Sequence, residues 1–166
     1  LTQARATGGL YLEEGMRIHI DPGPGALVNL HRAGLDPRAT DAMLVSHCHP
    51  DHCVDASILL EALDPRGIEP RGVLAGSKSA LEGLEGEPPY INQFHQNKAL
   101  TRQVMTTGSK LLLGSSVVEG TPSDHSDPST VGFKIHTNDG VISYLADTAL
   151  TDELFKAHRG ARLLIL

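Results

Sequence analysis

The sequence predicts an α/β or α+β fold with helices outside packed sheets, and three observations predict it. Apolar runs of strand length recur along the chain. Strands come first, and segments with helical spacing then interleave with further strands. The 17 Gly and 10 Pro supply turns for many short elements. A length of 166 residues suits one domain spanning 1–166. The 40% hydrophobic content is enough for a core, but with 4% aromatic residues and no Trp that core must be Leu, Val, Ile and Ala.

In chain order, Gly9 to Glu13 and Met16 to Ile20 read as two strands joined by a tight turn at Glu14-Gly15. Asp21-Pro22-Gly23-Pro24-Gly25 then breaks the strand. Ala26 to Ala33 reads as a short helix ended by Gly34. The apolar run Ala42-Met43-Leu44-Val45 is a buried strand leading straight into His47. Val54 to Leu63 has helical spacing, with Ile58, Leu59 and Ala62 expected on the inner face. Val73 to Ala75 is a short strand and Ser77 to Gly83 a helix, while 84–98 has loop composition. Strands are expected at 110–113, 116–119, 131–136 and 141–145, with Asp139-Gly140 turning the last pair into a hairpin. A helix over Leu150 to His158 and a strand over Leu163 to Leu166 follow.

The formal net charge of −6 argues against a general nucleic-acid-binding surface, which would be basic. No stretch approaches the roughly 18 apolar residues of a membrane span, and no secretory leader is recognisable. Cys48 and Cys53 lie inside a histidine cluster, where a disulfide would strain the loop. Reduced thiols and a cytoplasmic location are therefore expected.

That cluster is the central chemical feature. Ser46-His47-Cys48-His49-Pro50-Asp51-His52 places three histidines and one aspartate within six residues, directly after a buried strand. A lone histidine is ordinarily a surface or core residue, but imidazole and carboxylate at this density are the ligands of zinc and similar ions. In an extended stretch His47 and His49 point to the same side and can reach one ion. If the chain then turns into a helix, Asp51 and His52 swing towards a second.

The pattern His-x-His-x-Asp-His resembles the signature of the metallo-β-lactamase superfamily, and further motifs in the same order strengthen the resemblance. Asp21-Pro22-Gly23 is similar to the family's early Asp-x-Gly turn, whose carboxylate supports the metal ligands without binding the metal. His125 stands where the family has its third histidine for the first metal. Asp147, 22 positions later in Tyr144-Leu145-Ala146-Asp147-Thr148, stands where it has the carboxylate bridging both ions. The resemblance implies a four-layer αββα sandwich with the site at one edge. It implies two divalent metal ions, Zn2+ by default with Mn2+, Fe2+ or Ni2+ as alternatives, held by His47, His49, Asp51, His52, His125 and Asp147. The family usually adds a later histidine past a further strand. Here the sequence stops at Leu166 and His158 comes too early, so the chain is expected to be truncated at both ends, with the second metal one ligand short.

By the same resemblance the protein is a hydrolase using hydroxide activated between two metals, with Asp51 orienting that hydroxide and taking its proton. The run from His125 through Gly132-Phe133 is similar to the phosphodiesterase and transfer-RNA 3′-processing branch, which points to a phosphodiester substrate. The acidic charge, and the absence of a basic glycine-rich arm, favour a small or nucleotide-like molecule over extended RNA. Two alternatives stand beside this reading. One is a hydrolase of carboxylic esters, thioesters or lactones, and the other is a non-catalytic metal-binding family member. His95, in the loop-like segment, is a candidate substrate contact. Cys48 is expected to pack, Asp124 and Asp127 to be loop residues, with support of His125 as the alternative, and His19, His31, His136 and His158 to be structural or exposed. A homodimer is an expected assembly, from the habit of the family.

Overall fold

A computed structural model describes residues 9–13 and 15–166. The expected turn residue Glu14 lies outside the described residues. Two five-stranded sheets form the frame. The first runs β1 (Leu10–Glu13), β2 (Arg17–Ile20), β3 (Ala42–Val45), β4 (Val73–Gly76) and β5 (Thr101–Val104) in spatial order. Only β1 and β2 pair antiparallel there, and the remaining neighbours are parallel. The second has the order β10 (Leu163–Ile165), β9 (Gly140–Tyr144), β8 (Gly132–Thr137), β7 (Ser116–Thr121) and β6 (Lys110–Leu113). It is antiparallel except where β10 joins β9.

The sheets face each other across an apolar layer. Ile18, Ile20, Ala42, Leu44 and Ala75 from the first meet Leu111, Leu113, Val118, Phe133 and Ile135 from the second. The other face of the first sheet, through Met43, Val45 and Leu74, packs on helices α1 (Ala26–Arg32), α2 (Pro50–Cys53), α3 (Ala56–Leu63) and α4 (Lys78–Leu81), and α5 (Gln93–Gln96) lies against α3. Helix α6 (Asp152–Ala157) lies on the outer side of the second sheet, where Lys134 Nζ donates to the carbonyl of Ala157 at 2.8 Å. The expected αββα order is therefore present. Among the described residues, no helix is long and apolar enough to cross a membrane.

Strand β3 shows why two faces must be covered. All four of its residues are buried, as a parallel strand flanked on both sides requires. Helix α3 begins two residues later than expected, and its buried positions are Ala56, Leu59, Leu60 and Leu63. Ile58 is instead half exposed, so the inner face is rotated from the expected one. The segment 84–98 holds a bridge between Leu84 and Glu87 and the single-turn helix α5, capped where Asn92 Oδ1 accepts from His95 N. Strand β5 was not expected, because Thr101-Arg102-Gln103-Val104 is polar and lies at a sheet edge.

Candidate metal centre

The site gathers at the carboxyl ends of β2, β3 and β9 and in the loop between β7 and β8, the end of a parallel sheet where ligands usually bind. Each element delivers its residue for a local reason. After β3 the chain stays extended through His49 (φ −64°, ψ 138°), and Pro50 then opens α2. Extension puts His47 and His49 on one side, and the helical turn brings Asp51 and His52 round beside them.

The result is two adjoining groups of donors. In the first, His47 Nε2 and His125 Nε2 each lie 3.1 Å from His49 Nδ1. Tetrahedral coordination with metal–nitrogen bonds of ~2.0–2.1 Å spaces ligand nitrogens by roughly 3.3 Å, close to this separation. In the second group, His52 Nε2 lies 3.3 Å from Asp147 Oδ1 and 3.9 Å from Asp51 Oδ2. The other Asp147 oxygen, Oδ2, faces the first group, 3.9 Å from His125 Nε2. Oxygen and nitrogen donors meeting at these distances fit divalent first-row ions.

The Asp21 carboxylate organises both groups from behind. Its Oδ1 accepts from the backbone N–H of Ser46 at 2.6 Å. Its Oδ2 accepts from Ser46 Oγ at 2.5 Å, His52 Nδ1 at 2.8 Å and Tyr144 Oη at 2.6 Å. With its lone pairs engaged in this way, Asp21 has little left for a cation, although it lies near His47 and His52. It fixes the tautomer of His52, leaving Nε2 free to ligate. Ser46 Oγ, 2.9 Å from His47 Nδ1, does the same for His47.

Electrostatics suit the arrangement. Burial pushes His47 down to about 4, with the neighbouring His52 and His49 adding to the effect, so its ring is neutral near pH 7. At His52 burial opposes a charge, but the Asp21 hydrogen bond and the Asp21, Asp147 and Asp51 carboxylates outweigh it and raise the pKa. Two non-glycine residues here adopt left-handed backbone, Asp21 (φ 47°) and Ala146 (φ 58°), the latter immediately before Asp147. Such conformations persist where the surroundings over-determine them, and they cluster at functional sites.

The His125 loop is held at both ends. Asp124 N donates to Thr148 Oγ1 at 2.9 Å and Ser123 Oγ to the Asp147 carbonyl at 2.7 Å. Asp127, expected to be a plain loop residue, is 6% exposed and clamps three segments. Its carboxylate accepts from Ser79 Oγ at 2.5 Å, Cys48 N at 3.3 Å, and Ser129 N and Oγ at 2.9 and 2.8 Å. Burial alone would raise its pKa, but these donors lower it to about 2.

The structure thus brings together His47, His49, Asp51, His52, His125 and Asp147, with Asp21 behind them. It does not bring His95 there. That imidazole, expected as a substrate contact, lies on α5, its Nε2 3.7 Å from Glu61 Oε1 on α3, beside the Glu61–Lys98 ion pair. Cys48 is half-buried and lines a cavity instead of packing in the core. Ser46 and Tyr144 escaped sequence reasoning, and Asp127 was given a lesser role than the one it has. Ser46 adjoins the motif and carried a positional signal, but Tyr144, 123 residues from Asp21, carried none.

Comparison with known proteins agrees with this geometry. Residues 16–166 match the family model described as beta-lactamase superfamily domain. The chain is 38% identical to an uncharacterized protein of Methanocaldococcus jannaschii, MJ1374, over 99% of the chain and 62% of that protein. It is 26% identical over 153 residues to a cAMP/cGMP-dependent 3′,5′-cAMP/cGMP phosphodiesterase B of Dictyostelium discoideum, covering 92% of the chain and 14% of the relative. Among solved structures, the metallo-beta-lactamase fold protein YhfI from Bacillus subtilis superposes with a TM-score of 0.76 at 20% identity, covering 98% of the chain and 64% of that protein. The short form of human tRNase Z superposes with a TM-score of 0.69 at 19% identity, covering 98% of the chain and 71% of that protein. The chain spans less than two thirds of the M. jannaschii and B. subtilis proteins. With two facing sheets, a His/Asp cluster at their edge and a family match over residues 16–166, the chain belongs to the beta-lactamase superfamily and has the metallo-β-lactamase fold.

Proposed function

We propose that the protein is a metal-dependent hydrolase of small or nucleotide-like phosphodiesters, with His47, His49 and His125 holding one divalent ion and Asp51, His52 and Asp147 a second. The observation that carries the reading is the position of Asp147, whose two oxygens face the two donor groups. A pair of ions held there, Zn2+ by default, would supply Lewis acidity and a water acidified towards neutral pH. The chain's own residues do the rest. His47, kept neutral by burial, presents its lone pair beside His49, Asp21 fixes the ring of His52, and Asp51, next to His52, would accept a proton from the attacking water. The phosphodiester preference is supported by the relative named a cyclic-nucleotide phosphodiesterase. It is supported also by the entry of the His125 loop into β8 at Gly132-Phe133. Both cysteines are free thiols, which fits a reducing compartment such as the cytoplasm.

The test is metal analysis of purified protein, followed by assay of the Zn2+- and Mn2+-loaded forms against chromogenic phosphodiesters, lactones and thioesters. Phosphodiester turnover abolished by chelation is the expected result. Turnover of thioesters or lactones alone would replace the substrate class and keep the metal site. Metal binding without any turnover would make this a binding member of the family.

A further inference from the structure

A cavity adjoins the candidate metal centre at His49. Its volume is about 760 Å3, and His49 and Ser126 form the wall it shares with the first donor group. Pro88, Pro89 and Tyr90, the last 41% exposed, form a second stretch of its lining. Volumes of ~300–1,000 Å3 are those of pockets holding small organic ligands. The charge of the lining is one-sided. Glu85 and Glu87, both exposed, are in the lining, and no Lys or Arg lines the cavity among the described residues. A site for a second phosphate or a phosphate chain would carry basic side chains or an exposed helix N-terminus.

The Pro88–Tyr90 stretch is built to stay in place. Tyr90 N donates to the Ser79 carbonyl at 3.2 Å and Ile91 N to that of Ala80 at 3.0 Å. Gln96 Nε2, buried beneath, bonds the carbonyls of Leu81 and Ile91 at 2.8 and 2.6 Å. The turn carrying the two glutamates closes through the Leu84–Glu87 bridge and packs on Gly83, where a Cβ would meet the Glu87 carbonyl oxygen at 2.1 Å. A wall fixed before binding costs little to order when a ligand lies against it.

We propose that this cavity is the subsite for an uncharged, ring-bearing substituent on the phosphodiester, a nucleoside or aryl group, and that Tyr90 is the face against which the ring lies. The inference rests on the phosphodiester reading and narrows it. The substrate is a diester with a single phosphate, one of whose alcohols carries an aromatic ring. The Glu85 and Glu87 carboxylates disfavour chains with further phosphates, and they accept from ring amino groups where these are present.

Two measurements test it. The first compares kcat/KM of the metal-loaded protein for bis(p-nitrophenyl) phosphate with that for methyl p-nitrophenyl phosphate. The two share a leaving group and differ in the ring of the other substituent. The ratio should favour the diaryl ester at least 5-fold, fall towards unity in Tyr90→Ala and recover in Tyr90→Phe. A ratio unchanged in Tyr90→Ala overturns the proposal. The second needs no turnover. The native chain has no Trp, so Tyr90→Trp places a lone indole in the wall. Adenosine should quench its fluorescence saturably and ribose should not. Equal response to both, or none to adenosine, also overturns the proposal. If no phosphodiester is hydrolysed the proposed function fails, and the quenching still decides whether the cavity takes a ring.

Discussion

The phenol of Tyr144, at the end of β9 in the second sheet, lies 2.6 Å from Oδ2 of Asp21, in the turn after β2 in the first. One hydrogen bond thus joins the two halves of the fold at the carboxylate that orients His52. Burial and the neighbouring Asp21, Asp147 and Asp51 carboxylates raise the Tyr144 pKa, so the phenol keeps its proton and donates throughout the working pH range.

Tyr144→Phe removes this donor and little volume. Losing a hydrogen bond to a buried carboxylate costs about 1.5–3 kcal/mol. Loss of support behind a ligand lowers metal affinity roughly 10–100-fold. The variant should therefore unfold at lower denaturant concentration and give up metal to a chelator sooner than the parent protein. Unchanged values for both would mean that water replaces the phenol.

His47 and Asp147 should differ in what their loss removes. His47→Ala takes away a fully buried nitrogen that faces both His49 and His52, and metal content by mass spectrometry should fall close to zero. Asp147→Asn keeps the shape but loses the charge between the groups, and one ion per chain should remain with hydrolysis gone. His95→Ala should leave kcat/KM unchanged, since its ring lies beside Glu61 on α3 and not among the metal donors.

The clamp at Asp127 predicts a different kind of defect. Asp127→Ala leaves Ser79 Oγ, Cys48 N and Ser129 N without their acceptor in a buried place. A loss of about 1–3 kcal/mol in stability is expected. The His125 loop should also become a faster site of limited proteolysis, cut between residues 122 and 131. Cleavage at the parent rate would show that the Thr148 and Ala149 contacts alone hold the loop.

What the sequence made legible follows the range of the interactions. The donors at 47–52 sit within six residues of one strand end, so alternation and a helical turn were enough to foresee their two directions. His125 and Asp147 were placed by their likeness to a family pattern, and the fold brings them there. Tyr144 and Asp127 act across 123 and 48 residues, on Asp21 and Ser79, through contacts that exist only once the sheets have packed. Strand β5 was hidden because an edge strand needs no apolar alternation. Helix α5 was hidden because one turn is too short to show a period. Ile58 misled because apolar residues also occur singly on surfaces.

His19 predicts how stability depends on pH. It is 3% exposed on β2, its ring edge-on to Tyr11 at 5.6 Å, and its Nδ1 has no partner among the described residues. Burial lowers its pKa from 6.5 to about 4, against the opposing pull of the Asp21 and Asp55 carboxylates. Between these values the unfolded chain takes up a proton that the folded chain refuses. Stability should therefore fall as pH drops from 6.5 towards about 4, by at most ~1.4 kcal/mol per pH unit, and the His19 contribution should level off below that. Above pH 6.5 the residue adds no slope. In His19→Gln the side chain cannot titrate, so the difference in unfolding free energy between variant and parent should itself change through this window. Contributions common to both proteins, including that of His47, cancel in this difference. Denaturation curves that stay parallel from pH 7 to pH 4.5 would show that water or a rearranged Tyr11 accommodates the charged ring at no cost.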